Sequence, residues 1–314
     1  MEKPIFKKWN IGGIDQWIMI NKNQTHYEKP ILLFLHGGPG TAQISYIDLF
    51  HQELDKYFTM VNWDQRGAGL SYHEDIPLTS MNINQFIEDT IELSEKLLAF
   101  YGQSKLYLVG YSWGSLLGIQ AVKRRPDLYY AYYGISQVVN VQQEDVISYE
   151  LLLDRIKTKR LFTACMRMLT PPPWKRTYSH ALFYMFKEFA NVGLTHKWKP
   201  FVQLISGFIC STHYGWKDKL KFLKGQKFSQ RALWKELMQE SIQNRVSSIL
   251  IPCYFLIGKH DLITPQAISK PYFQQLTAPI KEWFTFEKSA HSPHIEEPQK
   301  YMSILRKTAT YHLK

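Results

Sequence analysis

Leu106-Tyr107-Leu108-Val109-Gly110-Tyr111-Ser112-Trp113-Gly114-Ser115-Leu116-Leu117-Gly118-Ile119-Gln120-Ala121-Val122 decides the fold. It opens as an apolar β run, passes through G-x-S-x-G and continues as a helix-like run. A serine at the centre of so tight a strand-to-helix turn must take a strained backbone conformation. The glycines two positions to either side let helix and strand close on each other. The strain lifts the hydroxyl clear of the sheet edge, and the helix that follows aims its first N–H groups at it. Without such flanks, G-x-S-x-G is only a small-residue turn. With them it predicts a nucleophile elbow at Ser112.

Three other stretches fall in a matching order. Ile31-Leu32-Leu33-Phe34-Leu35 reads as a buried strand and runs into His36-Gly37-Gly38-Pro39-Gly40. Such a loop puts backbone N–H groups at the carboxyl edge of a sheet, where that of Gly38 can complete an oxyanion hole with that of Trp113. It lacks the glycine spacing and the Lys-Ser/Thr pair of a phosphate-binding loop. Asp261 follows the apolar run Ile251 to Ile257 and suits the acid that orients a histidine, although its position also fits a helix N-cap. His291 follows a short strand, 282–286, and precedes a C-terminal helix; His294 is its rival in the same loop.

The order Ser112, Asp261, His291 is that of the α/β-hydrolase fold, not of the chymotrypsin or subtilisin arrangements. With Asp64-Gln65-Arg66-Gly67-Ala68-Gly69-Leu70-Ser71, the combination H-G-G-P-G, D-Q-R-G-x-G-x-S and G-x-S-W-G-S resembles the proline iminopeptidase branch of the α/β-hydrolases. The resemblance covers residues 1–139 and 247–314. It implies an α/β core, a mostly parallel sheet with helices on both faces, and a helical cap inserted at 140–246. It also implies that cap glutamates hold the substrate's free amino group. One of these lies in a Glu-Asn-His-Tyr-Phe type motif, and here Ser211-Thr212-His213-Tyr214-Gly215 has serine where the carboxylate would stand. The remaining acids of the segment are Glu144, Asp145, Glu150, Asp154, Glu188, Asp218, Glu236 and Glu240. Glu188 and Glu240 are the expected amine contacts, with Tyr111 and Trp174 beside them.

The rhythm of the chain agrees with that layout. A β-hairpin is expected at 5–20, strands at 31–35, 58–63, 106–109 and 129–135, and a helix at 83–101. Strand alternating with helix implies parallel pairing. No strand pattern is convincing from about 140 to 246, where helical runs are expected at about 144–158, 177–192 and 229–243; a strand returns at 249–257. Aromatics such as Trp174, Phe183, Tyr184, Phe201 and Phe208 would in part line a pocket under this segment.

The net charge of +11 is unevenly spread, since residues 151–250 carry 18 Lys and Arg against 5 Asp and Glu. A solvated helix face explains it, as in Lys217 to Lys224, and an anionic partner is the other reading. No nucleic-acid-binding module is recognisable, so no specific nucleic-acid partner is expected. Three cysteines, no apolar leader and no long apolar run point to a cytoplasmic protein without disulfides or a membrane span. No Cys/His spacing suggests a metal, and no cofactor is expected.

The chemistry so read is that of a serine hydrolase acting on a small-molecule or short-peptide substrate. Ser112 attacks a carbonyl, His291 takes its proton and Asp261 orients the imidazole. Amide or peptide substrates lead; carboxylic esters are the alternative within enzymes, and a ligand-binding sensor is the alternative from another class. Asp64 and Arg66 are expected to brace the oxyanion loop through charge-assisted hydrogen bonds, or else to touch substrate.

Overall fold

A computed structural model describes residues 3–21, 29–47, 50, 53–156 and 205–312. Strands β1 (Ile5–Ile11) and β2 (Ile14–Ile20) form the hairpin, turning at Gly12 and Gly13. β3 (Ile31–Leu35) and β4 (Thr59–Asp64) follow, then helix α1 (Ile83–Tyr101), β5 (Leu106–Tyr111), α2 (Trp113–Arg124) and β6 (Tyr129–Ile135). Helices α3 (Val141–Ile156) and α4 (Trp216–Leu237) lie in sequence between β6 and β7 (Cys253–Gly258). α5 (Gln266–Gln275), β8 (Lys281–Phe286) and α6 (Pro298–His312) complete the chain.

The eight strands form one sheet in the order β1-β2-β4-β3-β5-β6-β7-β8. β2 pairs antiparallel with both β1 and β4; from β4 to β8 every neighbour is parallel. The strands alternate between two cores, as a period of two requires. Leu33, Leu35, Leu106, Leu108, Phe255 and Ile257 face the side covered by α1, α2 and α5. Leu32, Phe34, Tyr107, Val109, Tyr254 and Leu256 face Tyr301, Ile304 and Leu305 of α6. α1 starts at Asn82, whose side chain accepts from the Gln85 N–H at 2.9 Å, and ends at Gly102 with φ of 63°.

Two expected elements are displaced, each for a local reason. β7 begins at Cys253 rather than 249, because Pro252 has no N–H to give to a ladder. The helix expected at 229–243 is α4, which starts thirteen residues earlier, at Trp216. Gly225 does not interrupt it: a side chain there would run into Gly67 O and Tyr72, so the glycine lets the helix lie against the 64–71 loop. The run expected at 177–192 lies outside the described residues, as do Trp174, Phe183, Tyr184, Glu188 and Phe201. Among the described residues, no helix is long and apolar enough to cross a membrane.

Parallel pairing puts the carboxyl ends of β3 to β8 along one edge. The residues after β3, β5, β7 and β8 therefore meet there, as is usual for sites on open parallel sheets.

Candidate active site

Ser112 follows β5 directly and has φ of 52° and ψ of −119°, a conformation that side chains rarely adopt. Its strain is held from both sides. Ser112 N–H donates to Ile135 O at 2.9 Å, and its carbonyl accepts from the Ser115 N–H at 2.8 Å and the Ser115 hydroxyl at 2.6 Å. A side chain at Gly110 would strike Gly114 O and Ser115 Cα, and one at Gly114 would strike Leu35 O. The motif's glycines are therefore demanded by the crossing of α2 over β5 and β3.

His291 Nε2 stands 3.0 Å from Ser112 Oγ. Its Nδ1 stands 2.9 Å from Asp261 Oδ2 and 3.1 Å from Oδ1. Asp261 also accepts from the Ile263 N–H at 2.7 Å, the Thr264 N–H at 3.0 Å and the Thr264 hydroxyl at 2.7 Å. Burial would raise its carboxyl, but the charge and hydrogen bond of His291 and the bonds from Thr264 outweigh burial and hold it below the usual range. An ionised Asp261 fixes Nδ1 as the donor, which leaves Nε2 to accept from the serine hydroxyl.

The loop that carries His291 is pinned by groups that local pattern does not announce. Ser136 Oγ, after β6, donates to His291 O at 2.8 Å. Glu296 accepts from the N–H groups of Ala290 and Ser292, both at 3.0 Å. Glu297 accepts from the Lys288 N–H at 2.9 Å and the Ser289 hydroxyl at 2.6 Å. His294 is fully buried, its ring packed on Tyr111, Phe34 and Tyr301, and it belongs to the core. The Tyr111 ring packs against that of His291 at a tilt, with centroids 5.3 Å apart, and its hydroxyl lies 2.7 Å from Ser292 Oγ.

Gly38, with φ of 135°, sits in the 36–40 loop beside the serine; a side chain on neighbouring Gly37 would lie 3.0 Å from the Tyr111 ring and 3.4 Å from Ser112 Cβ. Trp113 is the first residue of α2, so its N–H has no acceptor within the helix. Its indole is buried edge-on to Phe86 and donates to Gln65 Oε1 at 2.9 Å.

Asp64 and Arg66 do not brace this loop. Arg66 makes a fully buried two-pronged pair with Asp89 at 2.9 and 3.0 Å and donates to Gly12 O at 2.8 Å, which ties the β1–β2 turn to α1. Asp64 accepts from the Leu70 N–H at 2.8 Å and from the Tyr214 hydroxyl. The bracing falls to Gln65, between them in the chain. Its N–H donates to His36 Nε2 at 3.2 Å and its Nε2 to His36 O at 3.1 Å.

Of the acids considered for a substrate amine, Glu240 is buried and paired with Arg245 at 2.7 Å; burial raises its carboxyl, against the pull of Arg245. Glu144 accepts from the Val139 N–H at 2.7 Å, Asp218 from the Gly215 N–H at 3.0 Å and Glu236 from the Ile83 N–H at 2.9 Å. Glu150 and Asp154 are exposed and Asp145 is buried on α3. Ser211 Oγ accepts from the His213 and Tyr214 N–H groups, holding a turn.

A family model described as "alpha/beta hydrolase fold" matches residues 30–298. The chain belongs to the α/β-hydrolase fold family. It is a hydrolase, and its relatives agree. A Bacillus subtilis (strain 168) protein named "Probable aminopeptidase YbaC" is 44% identical over 98% of this chain and 97% of its own length. A Clostridioides difficile (strain 630) protein named "Proline iminopeptidase" is 26% identical over 93% and 94%. Among solved structures, the proline iminopeptidase of Mycobacterium smegmatis shares the fold with a TM-score of 0.69 at 16% identity, covering 98% of both chains.

Proposed function

We propose that this hydrolase is a serine aminopeptidase of the proline iminopeptidase type, cleaving small amide or peptide substrates through an acyl-enzyme. The observation that carries the reading is the unbroken line from Ser112 Oγ to His291 Nε2, at 3.0 Å, and from His291 Nδ1 to Asp261, at 2.9 Å. Ser112 attacks the scissile carbonyl as His291 takes its proton. The carbonyl oxygen gathers charge and is met by the N–H groups of Gly38 and Trp113, each worth about 3 kcal/mol of barrier in comparable sites. His291 then gives its proton to the leaving amine, and water repeats the sequence on the acyl-serine. Asp261, held ionised, keeps the imidazole in the tautomer that each step needs.

The peptide preference rests on the Bacillus relative, whose name is that of an aminopeptidase and whose likeness runs through nearly the whole chain. Residues 140–246 would form the cap over Ser112, and the substrate's amine would be met by a carboxylate from it. Ser211 supplies none, which keeps ester substrates as the competing reading.

A fluorophosphonate and a matched pair of arylamides test both levels. Wild type should be labelled at Ser112, and Ser112→Ala should fold, resist labelling and lose turnover by several orders of magnitude. Equal labelling of the variant would remove Ser112 from the mechanism. The free-amine arylamide should be preferred over its N-acetylated partner; the opposite preference would move the enzyme to the ester or blocked-amide class.

A further inference from the structure

Two segments must deliver one N–H each to the same oxygen, and they come from distant parts of the chain: the loop 36–40 after β3 and the start of α2. One side chain touches both. The Gln65 carboxamide donates to His36 O at 3.1 Å and accepts from Trp113 Nε1 at 2.9 Å. The Gln65 backbone adds a bond to His36 Nε2 at 3.2 Å. Since that N–H can only donate, Nε2 is an acceptor and Nδ1 carries the hydrogen, which it gives to Gly37 O at 2.7 Å. The His36 carbonyl and imidazole and the Gly37 carbonyl are thus all fixed, immediately before Gly38. All three residues, Gln65, His36 and Trp113, are at most 1% exposed. Burial holds the His36 imidazole down at about 4, against the Gly37 hydrogen bond, so the ring is neutral at neutral pH.

We infer that Gln65 is a positioning residue that sets the distance between the two halves of the oxyanion hole. The inference rests on the serine-hydrolase reading. A primary carboxamide suits the task because it offers one donor and one acceptor on a rigid plane, here matched to a carbonyl and an indole N–H. A carboxylate could not donate and an apolar side chain could do neither. Oxyanion donors act only if they are held where charge will develop, since reorganising them during the reaction forfeits their advantage. Without Gln65, Gly38 would keep its sequence and lose its register.

The signature is a loss confined to the transition state. Gln65→Leu should lower kcat about 30-fold with KM within about three-fold, and weaken a reversible peptide boronate or aldehyde, which forms the oxyanion, by the same factor as kcat/KM. The acid limb of the pH profile should not move, because His291 and Asp261 are untouched. Trp113→Phe deletes only the indole N–H and should show the same pattern at smaller size; it carries the test should Gln65→Leu fail to fold. A fall expressed wholly in KM, or turnover within two-fold of wild type in either folded variant, would overturn the inference while wild-type labelling at Ser112 stands. Absence of labelling in wild type would overturn the underlying reading along with it.

Discussion

Two aspartates stand at the carboxyl edge of the sheet, both almost without solvent: Asp64 at the end of β4 and Asp261 just after β7. They are shifted in opposite directions. Asp261 lies below its ordinary range because an imidazole and three further donors more than offset its burial. Asp64 is pushed up to about 7: burial dominates, and hydrogen bonds from Tyr214, Leu70 and Ile44 offset only part of it, with the charge of Asp218 acting in the same sense as burial. Arg66, two residues away, is turned to Asp89 and gives Asp64 no counter-charge. Burial alone does not decide what a carboxyl does. A partner that can become a cation makes the difference between a buried carboxyl shifted down and one shifted up.

The largest test of this contrast is Asp261→Asn. An asparagine can present N–H to His291 Nδ1 and so favour the tautomer with hydrogen on Nε2, which cannot accept from Ser112. Turnover should fall by about 10⁴-fold with the fold intact, measured as kcat on an arylamide alongside a thermal melt. Asp64→Asn should leave turnover within a few-fold of wild type. Comparable losses in the two variants would break the comparison, because Asp64 would then be part of the chemistry.

The second test is pH-dependent stability, where Asp64 gives a definite sign. Its folded-state value of about 7 is raised above the ordinary 3.8. Between those values the unfolded chain has lost a proton that the folded chain retains, so stability contributed by the neutral carboxyl is full below about 4 and is lost as pH rises towards 7. Asp64→Asn removes that loss. Relative to wild type the variant should gain stability from pH 4 to pH 7, by at most about 4 kcal/mol. Denaturant unfolding at the two pH values checks it. A difference that stays constant with pH would mean that Asp64 is ionised in the folded protein.

The sequence marks the line of chemistry far better than its supports. Ser112, Asp261 and His291 each follow an apolar run and sit in a short turn, so local pattern locates them. Local pattern already favours His291 over His294, and the packing of His294 on Phe34, Tyr111 and Tyr301 adds that His294 is core. The roles of Gln65 and Ser136 depend on partners that pairing of the sheet brings near; Ser136 and His291 are 155 residues apart. Glu296 and Glu297 take donors four to nine residues back in their own loop, and only the folded turn shows which. Arg66 was misread for a related reason: charge beside a glycine loop suggested the loop as its partner, whereas Asp89 lies on α1. Nothing along the chain shows that Gly225 lies against the 64–71 loop, which only the packing of α4 brings to it.

The smallest expected effect concerns Glu240, the one described residue of the two favoured for holding a substrate amine. Its carboxylate is already paired with Arg245, a residue whose side chain is 57% exposed. Burial raises Glu240, so the ionised form is under some strain, and the neighbouring charge of Glu236 adds to it after that of Arg245 is counted. A neutral isostere should therefore be tolerated. Arg245 can return to water at little cost, and Glu240→Gln should change stability by about 1 kcal/mol or less. An amine bound in a closed site needs a carboxylate of its own, because an ammonium buried without a partner is heavily penalised. If Glu240 were that partner, it would have to exchange Arg245 for substrate, and the glutamine variant would lose its discrimination between free and N-acetylated arylamides. With the Arg245 pair intact, that discrimination should stay within about three-fold of wild type. A loss of 100-fold or more, appearing in KM for the free-amine substrate alone, would show that the pair opens on binding and that a group held by an exposed arginine can still serve the site.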